Sequence, residues 1–233
     1  MRRPLVAAAL TAAAIALAGC GGSSGGDNPS LDQLSPGSQP SSATTTAGTA
    51  ACQPAPSASP KPEHFSAEPK LTIARTTYTA RIVTNCGTIV VALDGKHAPH
   101  TVNSLAFLAQ HHYFDHTPCH RLTTAGIFVL QCGDPTGTGT GGPGYAIPDE
   151  NLAGATYPAG TVAMANAGPN TGGSQFFFVY ANTQLDPNYT PFGHVVQGLD
   201  VLKAIAKNGT SNGTSDGPPA QPVVIESFTV SKG

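Results

Sequence analysis

The sequence contains no tryptophan and little charge. Asp, Glu, Lys and Arg make up 10% of its 233 residues, and the formal net charge is −2. Proteins that bind nucleic acid use a basic surface to contact the phosphates, so this composition excludes nucleic acid as a partner. Partners must be recognised by shape and apolar contact, and the length suits one well-buried domain with appendages.

Positive charge is scarcest in the middle of the chain. Between Lys96 and Lys203 the only Lys or Arg is Arg121, which stands beside two short runs, 122–124 and 127–130. These runs are rich in β-branched and aromatic residues and predict a hairpin. Arg121 therefore belongs to a solvated strand edge, to one structural ion pair or to a functional site.

Hydrophobic runs long enough to span a membrane are also missing. The apolar run Leu5–Leu17 follows Arg2 and Arg3 and is too short for a comfortable transmembrane helix. Leu17-Ala18-Gly19-Cys20 resembles the lipobox of a bacterial lipoprotein signal peptide. The resemblance implies that residues 1–19 are removed, that Cys20 carries the lipid, and that the protein is anchored at the extracytoplasmic side of the cell membrane. An ordinary secretory signal is the alternative, and it also implies export.

Large apolar side chains are rare in the next stretch. Between Gly21 and Pro60 the only large aliphatic residues are Leu31 and Leu34, and most others are Ser, Thr, Pro, Gly and Ala. Such a composition cannot bury enough surface to offset the entropy lost on ordering. We therefore predict that residues 20–70 are a disordered tether and that residues 71–233 are the folded domain.

The pattern of the domain predicts many short strands and two helices. The first helix is expected at 99–109, where Pro99 begins an i, i+3, i+4, i+7 apolar pattern, and the second at 199–206. Strands are expected at 78–84, 88–93, 161–165, 176–180, 192–196 and 223–230. Because strands and helices do not alternate, the pattern indicates an antiparallel barrel or sandwich.

Five motifs, in this order, resemble a cyclophilin-type peptidyl-prolyl cis-trans isomerase. They are Cys119-His120-Arg121, Phe128–Asp134, the glycine-rich loop 137–142, Met164–Thr171 and Gly173–Phe177. The likeness runs from about Tyr78 to the C-terminus. It implies an all-β domain, with a closed eight-stranded antiparallel barrel capped by two helices. It also implies a monomer that binds proline-containing polypeptides in an outer groove and needs no cofactor or metal.

The resemblance implies roles for individual residues. Arg121 matches the catalytic arginine of the family. The residues that match its substrate site are Phe128, Val129, Phe177 and Leu185 in the wall of the proline pocket, Gln131 and Gln175 beside it, Ala165 and Asn166 at the edge that holds the peptide backbone, and Tyr189 where a His is frequent. Val129 replaces a usual Met, and Gln184 replaces a Trp that many members have, so weak inhibition by cyclosporin is expected.

The chemistry of Arg121 can be argued without the family. Rotation about a peptide bond has a barrier of about 18–20 kcal/mol, and an X–Pro bond isomerises unaided in about 10–100 s. A guanidinium can donate a hydrogen bond to the prolyl nitrogen and draw its lone pair out of conjugation, without a covalent intermediate. The alternative is a binding module that holds proline-containing segments without useful turnover, which would not require this cation.

Three other kinds of site fit the sequence less well. Residues 137–144 lack the Gly-Lys-Ser/Thr ending of a phosphate-binding loop. Cys119 and His120 are neighbours and would face opposite sides of a strand, which argues against a thiol nucleophile. A metal site lacks carboxylates at a suitable spacing, although four histidines are close in sequence: His111, His112, His116 and His120.

Four cysteines of the exported part form an even set, Cys52, Cys86, Cys119 and Cys132, which allows three pairings. We favour Cys52 with Cys86, and Cys119 with Cys132. The second pair conflicts with placing Arg121 and Gln131 on one face of a regular hairpin, so it requires an irregular strand.

We predict that Cys20 is the first residue of the mature protein, because the lipobox and the tether surround it. Mass spectrometry of the membrane fraction should find Cys20 as a diacylglyceryl-modified N-terminal residue. A soluble mature form that begins elsewhere would contradict this prediction.

Overall fold

The computed structural model describes residues 52–233. The predicted signal peptide, Cys20 and the first part of the predicted tether lie outside the described residues, so these assignments stay predictions. Within residues 52–233, none of the helices is long and apolar enough to cross a membrane.

Ten strands and two helices make up the domain, and most of them lie where the apolar patterns predict. The helices are α1, Pro99–Gln110, and α2, Leu199–Lys207. The strands are β1 Thr77–Thr84, β2 Gly87–Asp94, β3 Thr117–Pro118, β4 Arg121–Thr123, β5 Val129–Cys132, β6 Thr161–Met164, β7 Phe176–Val179, β8 Pro191–Gln197, β9 Asp216–Gly217 and β10 Val224–Lys232. The sequence does not predict β3 and β9, because a strand of two residues is too short to show alternation of apolar and polar side chains.

All ten strands form one antiparallel sheet in the order β3-β10-β1-β2-β8-β6-β7-β5-β4-β9. The expected closed eight-stranded barrel is therefore corrected to a curled ten-stranded sheet, since no ladder joins β9 to β3 in the described part of the chain. The two ends of the sheet are linked covalently instead. Only Cys119 and His120 separate β3, at one end, from β4, next to the other end.

The inner face of the sheet carries the main core, and its outer face carries a smaller cluster. In β7, Phe176 and Phe178 lie in the core, whereas Phe177 lies in the outer cluster. Successive side chains of a strand point to opposite faces, which accounts for this division. The outer cluster consists of Val129, Tyr157, Ala163, Phe177 and Val179.

Helix α1 covers the core and begins where Pro99 predicts. Proline suits the first position of a helix because the N–H it lacks would have no intrahelical partner. Glu150, from a distant loop, accepts hydrogen bonds from the backbone N–H groups of His100 and Thr101 at 3.0 and 2.9 Å. This carboxylate therefore lies at the positive end of the helix dipole.

The chain before β1 contacts the domain from Cys52 onwards. Cys52 is bonded to Cys86, and the ring of Phe65 packs edge-to-face on Phe107 with centroids 4.8 Å apart. The side chain of Asn103 bonds to the backbone of residues 69, 70 and 72. The predicted boundary between residues 70 and 71 is therefore corrected. Composition misses these contacts because a few separate anchors, rather than a continuous apolar pattern, hold the segment.

Both favoured disulfides, Cys52–Cys86 and Cys119–Cys132, are present. In the ladder between β4 and β5, Arg121 lies opposite Gln131. A regular continuation of β4 would not bring Cys119 opposite Cys132. The strand is interrupted at residues 119 and 120, where the Cys119 N–H donates to the carbonyl oxygen of Val223, and this irregularity lets the disulfide form.

Replacing both Cys52 and Cys86 by Ser should lower the free energy of unfolding by about 3–4 kcal/mol, because the bridge restricts a long loop of the unfolded chain. The sequence separation is 34 for this bridge and 13 for Cys119–Cys132, so removing the second bridge should cost less, about 3 kcal/mol. Chemical denaturation of the two double variants measures both values.

Peptide mapping without reduction should find these two pairings, and four free thiols would contradict them.

Candidate active site

A small groove opens on the outer face of the sheet. Its volume is about 180 Å³. Eight of the residues that the sequence assigns to the site lie together in its lining, joined by Ile127: they are Arg121, Val129, Gln131, Ala165, Asn166, Phe177, Leu185 and Tyr189. Arg121 is the only charged side chain among them.

Phe128 lies outside the groove, which corrects its predicted place in the wall. Its ring packs edge-to-face against Tyr180, with centroids 6.0 Å apart, beside Lys203 of α2. Neighbours in an extended chain face opposite sides, so Phe128 cannot share a wall with Val129. Ile127, which the sequence analysis did not select, takes that place.

Aromatic rings build the apolar part of the groove. The rings of Phe177 and Tyr189 meet edge-to-face with centroids 5.6 Å apart, and Tyr157 packs behind both. The Tyr157 hydroxyl donates to the carbonyl oxygen of Tyr189 at 2.8 Å and accepts its N–H at 3.1 Å. Burial raises the pKa of this hydroxyl, so it remains a donor. Tyr157 therefore fixes Tyr189, although nothing in its sequence context indicates this role.

Arg121 is held by two residues. Its Nε and Nη2 donate to the two carboxylate oxygens of Asp216 at 2.8 and 2.7 Å, and Nη1 donates to Oε1 of Gln131 at 3.3 Å. A guanidinium has five N–H groups, so one on Nη1 and one on Nη2 remain for a ligand. The side chain is 39% exposed and lines the groove.

The ion pair is charged on both sides at neutral pH. The hydrogen bond to Asp216 raises the pKa of Arg121, and the hydrogen bond from Arg121 holds the pKa of Asp216 below its usual value. Asp216 is 53% exposed, and exposed pairs contribute little to stability. The pair therefore orients Arg121 more than it stabilises the fold.

Asp216, like Ile127, is a residue of the site that the sequence analysis missed. It lies in β9, opposite Thr123 of β4. The Asn212 side chain and the Thr214 hydroxyl both donate to the backbone carbonyl of Asp216, at 3.3 and 2.7 Å. The loop before β9 thus fixes the backbone that carries the carboxylate. A single sequence gives no signal that this acid pairs with an arginine 95 residues away.

Gln131 connects Arg121 to the glycine-rich loop through Gln175. Nε2 of Gln131 donates to Oε1 of Gln175 at 2.9 Å, and Nε2 of Gln175 donates to the carbonyl oxygens of Gly139 and Gly141 at 3.0 and 2.9 Å. Gln175 therefore does not line the groove itself. It supports Gln131 from behind.

The buried carboxylate of Asp134 holds the same loop in shape. It accepts hydrogen bonds from the backbone N–H groups of Thr136, Gly139 and Gly141, at 2.8, 2.7 and 3.1 Å. Burial alone would raise the pKa of Asp134, but the hydrogen bonds, led by that from the Thr136 hydroxyl, outweigh it and hold the pKa below its usual value. The loop therefore has a fixed anion at its centre.

A second cavity, of about 680 Å³, adjoins the groove. It is formed by residues 139–146, residues 165–167, residues 171 and 173–175, and His64. Gln131, Ala165 and Asn166 line both spaces. The two spaces are therefore adjacent, and an extended ligand could contact both.

The chemistry available in the groove is that of a compact apolar surface beside one oriented cationic donor. Within residues 52–233, no group of three or more His, Cys, Asp or Glu is arranged to hold a metal ion. All four cysteines of this range are in disulfides. The groove itself presents neither a carboxylate nor a thiol to a ligand, so its residues act by binding and by electrostatics.

Comparison with known proteins gives a family for the chain. The model of the family described as cyclophilin type peptidyl-prolyl cis-trans isomerase/CLD matches residues 79–230. A probable peptidyl-prolyl cis-trans isomerase B of Mycobacterium leprae is 46% identical over 193 residues, which cover 76% of this chain and 65% of the relative. The present chain thus spans slightly less than two thirds of that relative.

Two further proteins resemble a shorter part of the chain. Peptidyl-prolyl cis-trans isomerase A of Mycobacterium tuberculosis is 40% identical, and the match covers 66% of this chain and 93% of the relative. A crystal structure of a Cryptosporidium parvum cyclophilin type peptidyl-prolyl cis-trans isomerase, in the presence of the dipeptide Ala-Pro, matches with a TM-score of 0.59 and 30% identity, covering 66% of this chain and 99% of that one.

The ion pair can be tested by titrating Asp216. Its carboxyl should titrate below the ordinary value for Asp, about 3.9, and Arg121→Ala should raise its pKa towards that value, because the cation that favours the charged form is gone. Carbon-detected NMR of the side-chain carboxyls follows both titrations. Asp94 is the internal control: burial would raise its pKa, but hydrogen bonds from His97 lower it, and Arg121→Ala should leave it unchanged. An unaltered Asp216 pKa in the variant would contradict the pair.

Proposed function

The chain belongs to the cyclophilin-type peptidyl-prolyl cis-trans isomerase family, and from this membership and the groove we propose that it isomerises X–Pro bonds in polypeptides. The observation that carries the proposal is Arg121, the only charged side chain of a small apolar groove. Its hydrogen bonds to Asp216 and Gln131 leave two N–H groups for a substrate.

The groove supports a specific placement of the substrate. The prolyl ring packs on Val129, Phe177 and Leu185, and Ala165 and Asn166 border the adjoining peptide backbone. Ile127 and Tyr189 complete the apolar wall. The related Cryptosporidium parvum structure obtained in the presence of Ala-Pro supports a proline-containing ligand for this fold.

Arg121 lowers the barrier by acting on the prolyl nitrogen. As the X–Pro bond twists, the nitrogen becomes pyramidal, and its lone pair becomes a hydrogen-bond acceptor that the planar ground state does not offer. A donor that meets this lone pair therefore stabilises the transition state selectively. Each 1.4 kcal/mol of such stabilisation gives about a tenfold higher rate. No bond to the enzyme forms or breaks in this mechanism.

Asp216 and Gln131 contribute by keeping the donor in place. A free arginine side chain has many rotamers, and ordering it during the reaction would cost entropy. The two hydrogen bonds that Arg121 donates to Asp216 fix the plane of the guanidinium before the substrate binds. Asp216 is therefore a positioning residue, not a catalytic one.

We place the reaction at the outer face of the cytoplasmic membrane. The lipobox at Cys20 and the two disulfides of the domain both support an oxidising compartment outside the cytoplasm. The lipid would be the only attachment to the membrane, and the substrates would be exported polypeptides that fold there. Nothing in the proposed mechanism requires a second copy of the chain.

We predict that Arg121→Ala removes most of the turnover and leaves the fold intact. Loss of a charged donor aimed at the transition state costs about 10²–10³ in rate, while the exposed Asp216 left without its partner should cost little stability. NMR exchange spectroscopy on an Ala-Pro peptide measures turnover, and a titration in the same spectra measures Kd. The purified full-length protein in detergent is the sample, and Arg81→Ala, an exposed arginine of β1, is the matched control.

The expected signature is a large fall in turnover with Kd changed less than about threefold. The turnover of Asp216→Asn should lie between those of the wild type and Arg121→Ala, about fivefold below the wild type, because an exposed ion pair contributes up to about 1 kcal/mol. Turnover in Arg121→Ala within threefold of the wild type would refute the role of Arg121. Tight binding without any turnover in the wild type would favour the alternative, a module that only holds proline-containing segments.

A further inference from the structure

The N-terminal segment, residues 61–72, contributes one residue to the lining of the second cavity. His64 lines the cavity, and the N–H of Phe65 donates to the carbonyl oxygen of Pro143 at 2.8 Å. The loop that contains Pro143 and Gly144 packs closely against this segment. Gly144 has a φ of 90°, and a Cβ there would lie 2.7 Å from the carbonyl oxygen of Phe65, so only glycine fits.

The segment is anchored to α1 at several points. The ring of Phe65 packs edge-to-face on Phe107 and His111, with centroids 4.8 and 5.1 Å away. Glu68 meets Nδ1 of His100 at 2.6 Å. The buried side chain of Asn103 donates to the carbonyl oxygens of residues 69 and 70 and accepts the N–H of residue 72. These contacts give His64 a defined position beside the cavity.

The chemistry of the second cavity indicates what it binds. Its lining is mostly backbone, amide and hydroxyl groups, and His64 is the only side chain in it that can carry a positive charge. The other titratable side chain, Tyr145, already has its hydroxyl bonded to Ser104 at 2.8 Å. An imidazole can donate an N–H to a carboxylate in either protonation state. The cavity is therefore complementary to an acidic side chain.

Similarity to known proteins extends into this segment. Residues 79–233 are about two thirds of the chain, so a match covering 76% of it must include residues before position 79. The match to the Mycobacterium tuberculosis isomerase A covers 66% and need not include them. A match that covers 76% of the chain leaves about 56 of its residues outside, so the alignment with the Mycobacterium leprae relative includes residues 61–72.

We propose that the N-terminal segment is part of the substrate-binding site, and that His64 selects an acidic side chain next to the X–Pro dipeptide. The proposal rests on the proposed function for the position of the proline in the groove. A polypeptide bound there extends past Ala165 and Asn166, which line both spaces. A flanking residue then enters the second cavity and meets His64.

Peptide binding to the purified full-length protein tests the proposal. The probes are peptides with Glu, Gln or Lys at each of the two positions before Ala-Pro, and NMR titration gives their Kd values. At one position Glu should bind about threefold to fivefold more tightly than Lys, the size expected of one exposed charged contact. In His64→Ala this ratio should fall to about one, while the Kd of the Ala-Pro dipeptide stays within twofold.

Two further variants make the result specific to the segment. His112→Ala is the matched control, because His112 is exposed, pairs with Asp115 and does not line the cavity; it should keep the preference for Glu. Phe65→Ala removes the main anchor and should weaken the preference, and amide spectra show whether it remains folded. If it unfolds, His64→Ala decides alone.

The proposal is overturned if the wild type does not distinguish Glu from Lys, or if His64→Ala keeps the wild-type ratio. Because the readout is a ratio of binding constants, it does not depend on turnover. A wild type that prefers Glu but does not isomerise the peptides would refute the proposed function and leave the role of the segment standing.

Discussion

The ion pair between Arg121 and Asp216 is the contact on which the candidate site depends. β4 is three residues long and lies between β5 and β9, so Arg121 has a polar partner on each neighbouring strand: Gln131 on one and Asp216 on the other. The pair also changes what Arg121 can do. With a carboxylate on its Nε and Nη2, the guanidinium acts as an oriented hydrogen-bond donor more than as a free cation, which suits an uncharged acceptor such as a prolyl nitrogen.

The same short strands serve the core and the groove. Alternation in β7 sends Phe176 inwards and Phe177 outwards, so the packing that stabilises the domain also fixes the apolar wall. A series of contacts runs from Phe65 through Pro143, the glycine-rich loop and Gln175 to Gln131 and Arg121. The chain before β1 is thereby in contact with the loops that shape the site, which a purely tethering segment would not be.

The sequence predicts this molecule best where the signal is local. Alternation and helical periodicity located both helices and the longer strands, and the isolated Arg121 pointed to the site. Contacts between distant residues were not predictable in the same way. Asp216 follows a stretch of Asn, Gly, Thr and Ser, and its pairing with Arg121 exists only once β9 lies beside β4. The resemblance to the family places Phe128 in the pocket wall, whereas alternation along the strand turns Phe128 away from the face that carries Val129, and the structure follows the alternation. The contacts of residues 52–70 could not be predicted, because isolated contact residues such as Phe65, and their partner Asn103 in α1, give no periodic pattern in the sequence.

A crystal structure of this protein soaked with Ala-Pro is the most direct test of the role of the ion pair. We expect the prolyl ring on Val129, Phe177 and Leu185. The free N–H groups of Arg121 should face the side of the prolyl nitrogen on which its lone pair becomes available when the X–Pro bond twists, and both hydrogen bonds from Arg121 to Asp216 should be retained. A dipeptide bound elsewhere, or an Arg121 that has left Asp216 to reach it, would contradict the claim that the ion pair sets the catalytic donor in place before the substrate arrives.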